Sequence, residues 1–212
     1  MAMSRVPRNQ IPLGEANNPL EELREIRSMM ERSSRFISLS GLSGVFAGVF
    51  ALIGAGAAYA YLTEPRYYRQ VDFYTFFFVD ALSVLTLSLA AGVYLTTRQA
   101  RRKGQKIWDA TSQRLLVNLF IPLVTGGIFI LALVRWAPVL VAPATLVFYG
   151  LALINGSKFT LHDVRYLGFC QIVLGLVCAF YVHYGLFFWA FGFGLLHIAD
   201  GAAMYYKYER GS

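Results

Sequence analysis

Six side chains set in apolar surroundings could do chemistry: Asp80, Asn118, Asn155, Gln171, His197 and Asp200. A carboxylate inside hydrocarbon costs on the order of 2.5–3.5 kcal/mol on insertion scales unless it is protonated, hydrated or paired. Such groups therefore face a bundle interior or a water-filled cavity. His197 and Asp200 stand three apart and share a helical face, where an imidazolium could keep the carboxylate charged or a neutral ring could be held in one tautomer. Counted at about 1.5 Å per residue, His197 falls near the midplane of its span. Gln171, in the antiparallel preceding span, comes out at nearly the depth of Asp200, so a hydrogen bond between them is reasonable. Asn118, Asn155, Ser40 and Ser43 fall in the same third, completing a polar layer. Asp80, one turn from Ser83 and nearer the opposite face, reads either as a second protonatable step or as a hydrated interfacial carboxylate. Asn, Gln and Ser in spans also serve simply to join helices, for about 0.6 kcal/mol each. For Asp200 a structural role and a chemical one stand equally open.

Signatures of enzymes are missing. The three histidines are scattered over a loop, a span end and a span middle, which supplies no zinc set and no facing pair for haem. There is no P-loop, nucleophile elbow or HExxH pattern, so no metal, cofactor or catalytic residue is expected. Cys170 and Cys178, eight residues apart in one apolar run, sit about 12 Å apart along a helix, too far to bridge.

The elements that must position these groups follow from composition. The chain has 212 residues, 57% hydrophobic and 15% charged, with 17 Phe and 13 Tyr, far from the balance of a soluble domain. A hydrocarbon core of about 30 Å takes roughly 20 apolar residues per helix. Runs of that kind lie at about 36–62, 73–97, 115–134, 137–155, 166–183 and 186–206. The expected fold is an all-α, polytopic bundle of six transmembrane spans occupying 36–210. Before it come a structureless tail at 1–18 and a short amphipathic cytoplasmic helix at 19–35, whose Leu20, Leu23, Ile26, Met29 and Met30 recur at helical spacing. Residues 96–114 carry six Lys and Arg between two spans and orient the bundle. With that loop inside, only Arg66, Arg69 and Arg135 of the 19 basic residues fall outside, which puts both termini in the cytoplasm. The net charge of +7 lies beside apolar spans, with no recognition module for nucleic acid, and points to anionic headgroups of the bilayer.

Local patterns add detail. Ser40, Gly44 and Gly48, spaced by four, make a close-packing face for a neighbouring span or a second subunit of a homo-oligomer. Pro122 cannot donate to the carbonyl of Asn118, so a kink is expected, with the Asn118 side chain or a water repairing the ladder. Thr160 three residues before Asp163 forms a capping-box pattern.

The segments GQKIWDATSQRLLVNLFIPLVTGGIF, VAPATLVFYGLALINGSK and FWAFGFGLLHI resemble an uncharacterised family of bacterial six-span membrane proteins, over roughly 20–210. The resemblance implies six spans and a bacterial inner-membrane location, and no activity. Two functions are in view. One is a non-enzymatic protein handling protons, an ion or a small polar solute at an inward-facing site around Asp200, His197 and Gln171. The other is a membrane-anchored regulator or scaffold that engages a soluble cytoplasmic partner, or another subunit, through the 19–35 helix and the basic loop.

Overall fold

The structure, a computed structural model, describes residue 23 and residues 39–64, 71–104 and 108–210. The expected tail, nearly all of the 19–35 helix and residues 65–70 and 105–107 lie outside the described residues. Those described are all helical or connecting, and six helices are long and apolar enough to cross a membrane. The chain has the architecture of a multi-pass membrane protein.

Helix α1, Gly41–Thr63, begins where the Glu209 carboxylate accepts from the Gly41 N–H and the Ser40 hydroxyl, so the last helix of the chain caps the first. Helix α2, Phe73–Arg102, is capped by Asp72, which accepts from the N–H groups of Tyr74 and Thr75. It ends at Gly104, whose φ of 63° is the left-handed conformation a helix terminus favours in glycine. Helix α3, Ala110–Trp136, is capped by Asp109, which takes both the N–H and the hydroxyl of Ser112 at 2.7 Å. Those bonds, the backbone one first, hold the Asp109 carboxyl below its ordinary range. Helix α4, Pro138–Phe159, α5, Asp163–Phe180, and α6, Val182–Tyr208, complete the set.

One correction concerns a boundary. The basic segment at 96–114 is helical at both ends, because α2 continues to Arg102 and α3 starts at Ala110. Good helix formers and a strong cap at each end outweigh the sequence polarity there. Ahead of α5, the Asp163 carboxylate of the Thr160–Asp163 pattern receives Lys207 Nζ at 3.0 Å from α6.

The helices pack as two triplets. In one, α1 lies between α2 and α6; in the other, α4 lies between α3 and α5, and α6 joins them by touching α4 and α5. The α1–α6 seam is set by small residues. A Cβ at Gly48 would come within 2.6 Å of the Gly194 carbonyl, and one at Gly44 within 3.2 Å of the Gly201 Cα. The expected packing face of Ser40, Gly44 and Gly48 is therefore used within the chain. Leu153, Leu161, Val164, Leu167 and Met204 form a buried core at the Asp163 end of α4, α5 and α6. Most other large apolar side chains point outward, as Phe78, Ile128 and Phe180 do, which suits helices bathed in hydrocarbon.

Candidate functional site: a buried histidine and an unpartnered aspartate

The middle of α6 is irregular. Between the α-helical stretches Gly185–Trp189 and His197–Tyr208, residues Ala190–Leu196 form a π-helix, a wide turn that re-aims backbone carbonyls toward neighbouring helices. The carbonyl of Gly192 accepts two side-chain bonds, from Gln171 Nε2 at 2.8 Å and from His197 Nδ1 at 2.9 Å. Only a small residue fits at 192, since a Cβ there would lie 2.6 Å from Gln171 Oε1.

These bonds fix the imidazole. A carbonyl can only accept, so Nδ1 carries the proton; burial disfavours a second proton, so the other nitrogen accepts from the Tyr149 hydroxyl at 2.8 Å. His197 is thus a neutral ring in one tautomer. Gln171 Nε2 also lies 3.4 Å from Nδ1, but both groups are donors, and the amide is spent on Gly192. Gln171 is fully buried, and its Oε1 has no partner. Aromatic rings close the pocket: Phe193 stacks on His197 with centroids 5.8 Å apart, Tyr149 stands 5.3 Å from His197, and Trp189 packs on Phe193 at 4.9 Å.

Asp200, one turn beyond His197, is half-buried and makes no hydrogen bond or ion pair among the described residues. It lies within electrostatic reach of Tyr149 and of Asp163, whose own counter-ion is Lys207. The expected Gln171–Asp200 bond is absent, and so is a direct His197–Asp200 bond. The physical reason is the π-turn: it offers the Gly192 carbonyl to both side chains, which puts Gln171 level with His197 rather than with Asp200.

Asn118 and Asn155 belong elsewhere. Asn155 Nδ2 reaches from α4 to the backbone carbonyl of Asn118 at 2.7 Å, the carbonyl that Pro122 leaves without a helical donor. Lys158 Nζ then bonds Asn155 Oδ1 at 3.1 Å, and the Asn118 side chain turns back to the Arg114 carbonyl at 2.8 Å. The ladder is repaired by an Asn, but by one from the adjacent helix. Asp80 is separate again. Its carboxylate faces Gly54 of α1, while Ser83 bonds back to the Val79 carbonyl. Along α1, Gly54 is ten residues from Gly44, which faces the His197 carbonyl, so Asp80 lies about 15 Å from the His197 level.

Tyr149 and the Gly192 carbonyl are the members that sequence reasoning missed. A signal existed in the aromatic spacing by four of Trp189, Phe193 and His197, which marks one stripe of α6. Tyr149, 48 residues away, carried none. Among the described residues no group of three or more His, Cys, Asp or Glu could hold a metal ion. No protein-family model matches the chain, and no curated protein or solved structure is significantly similar to it.

Proposed function

We propose that the chain is a non-enzymatic, proton-handling membrane protein in which Asp200 is the group that takes up and releases the proton. The observation that carries this reading is a carboxylate within a membrane-length helix, half-buried and unpartnered, one turn from a neutral imidazole whose tautomer is set by its bonds. The unbonded Asp200 is free to change state, whereas the histidine is not free to turn. A proton on His197 Nε2 would require Tyr149 to stop donating there and to accept instead, and the Tyr149 hydroxyl, which lies within electrostatic reach of Asp200, would then need an acceptor of its own. His197 and Tyr149 thereby act as positioning residues for the charge state of Asp200. Asp163 and Lys207 face the same region from α5 and from the end of α6.

The finer placement goes with this reading: a bacterial inner membrane, both termini and the basic segment at 96–114 in the cytoplasm, and Asp200 on the cytoplasmic side. The bias of Lys and Arg toward one end of the bundle supports that orientation. Tyr149, Phe193 and Trp189 pack closely around His197, and this favours a proton over a solute.

The test is proton uptake by proteoliposomes of the full chain under an imposed membrane potential, with wild type beside Asp200→Asn. Uptake is expected in the wild type and lost in the variant. Equal uptake in both, or none by the wild type above protein-free vesicles, overturns the assignment.

A further inference from the structure

Near its end, α2 presents a stripe that the proton site does not use. Val93, Tyr94, Thr97, Arg98, Arg101 and Arg102 recur at intervals of three and four and line an open groove of about 780 Å3. Its upper part is apolar and outward-facing, with Val93 and Tyr94 both more than 60% exposed. Its lower part is a cluster of three guanidinium groups spread over about 6 Å of helix.

Among the described residues, none of the three arginines makes a hydrogen bond, an ion pair or a ring contact. The nearest acidic residue in sequence, Asp109, is already engaged at the start of α3. On the same turn, Gln99 and Ala100 are the buried residues of α2, so the arginines lie on its exposed side, where the apolar stretch of the helix gives way to charge.

We infer that this stripe is a binding site for one anionic phospholipid, its phosphate on Arg98, Arg101 and Arg102 and an acyl chain along Val93 and Tyr94. Charge complementarity selects the occupant. Guanidinium forks bind phosphate oxygens bidentately, the apolar half of the stripe fits a hydrocarbon tail, and Tyr94 is the amphipathic residue expected at headgroup level. A soluble anion would leave the apolar half unfilled. A helix end alone accounts for a preference for basic residues, but not for their continuing an apolar groove on one face.

The full-length protein, delipidated in detergent, is titrated with phosphatidylglycerol or with phosphatidylcholine of the same acyl chains, and retained lipid is counted by native mass spectrometry. One phosphatidylglycerol is expected to be held, in preference to phosphatidylcholine. Each single Arg→Gln change at 98, 101 or 102 weakens retention about fivefold, and the triple change about a hundredfold. The paired control Arg114→Gln with Lys158→Gln removes basic charge at the same end of the bundle but outside the groove, and retains the lipid. Should the triple variant not fold, Val93→Trp fills the groove with all charges in place, and loss of lipid is expected there too. Equal retention of the two lipids, equal loss in the control, or no retained lipid because another part of the chain covers the stripe would each overturn the site.

Discussion

Two polar clusters stand inside this apolar bundle, and they differ in what is left over. Around Pro122, the freed Asn118 carbonyl takes Asn155, the Asn155 oxygen takes Lys158, and the Asn118 amide takes the Arg114 carbonyl. The freed carbonyl, both amide nitrogens and the Asn155 oxygen are answered there, and the cluster joins α3 to α4. Around Gly192, the imidazole and the Gln171 amide nitrogen are answered, but Gln171 Oε1 and the Asp200 carboxylate are not. Unpaired polar groups in such surroundings cost free energy and call for an explanation beyond adhesion. Residue type alone does not separate glue from chemistry in a membrane, since both clusters hold side-chain amides. The inventory of partners does.

The contrast can be broken in several ways, the largest effect first. Gly201→Ala would push a Cβ to 2.6 Å from both the Gly41 carbonyl and the Val45 nitrogen, backbone atoms that cannot swing aside. It should separate α6 from α1 and lower stability by about 1–3 kcal/mol, read from thermal melts in detergent. A melt like the wild type would show that the seam is looser than its geometry. His197→Ala leaves a cavity among Tyr149, Phe193 and Gly192 and strands the Tyr149 hydroxyl, for a loss of about 2–3 kcal/mol. Gln171→Leu removes an unsatisfied oxygen together with one bond and should cost clearly less than His197→Ala; the reverse order in the same melts would mean that the amide, not the ring, organises the π-turn.

The Pro122 cluster gives a sharper test. Asn155→Ala should cost about 0.6–1.7 kcal/mol in the natural sequence and close to nothing once Pro122→Ala restores the backbone donor, a coupling that a double-mutant cycle measures directly. Additive costs would show that Asn155 does not serve the Asn118 carbonyl. The smallest effect belongs to Asp109. Its carboxyl is held below the ordinary value, so its contribution is complete above about pH 4, where the unfolded group is already ionised, and fades as pH falls through the folded value. Asp109→Ala should cost about 0.5 kcal/mol at pH 7, at the low end for a cap because the site is exposed, and less as pH falls toward 3. A cost independent of pH would assign the effect to something other than the carboxylate.

Much of the fold was legible because a membrane leaves few choices. Runs near 20 apolar residues must be helices, and the six runs match the six observed helices within a few residues. The basic segment misled at its edges, since Thr97 to Arg102 looks like loop by polarity yet continues α2 until Gly104 stops it. The site was half legible. Asp200, His197 and Gln171 stand out in their spans by cost, and His197 and Gln171 do meet. Their partners were hidden because a hydrogen bond to a backbone carbonyl has no residue type to betray it, and because Tyr149 reads as one more aromatic in an aromatic chain.

By itself, the sequence determined six helices, the small-residue face of α1, and the proline that had to be mended. All of these are local, set by length, periodicity or a missing N–H. Only the tertiary structure decided that α6 receives the α1 face, that Asn155 rather than Asn118 mends the proline, and that a π-turn gathers Gln171 and His197 on Gly192 while leaving Asp200 alone. Those outcomes depend on which helices lie side by side and at what level, and that is fixed by how the glycine seams let backbones close up.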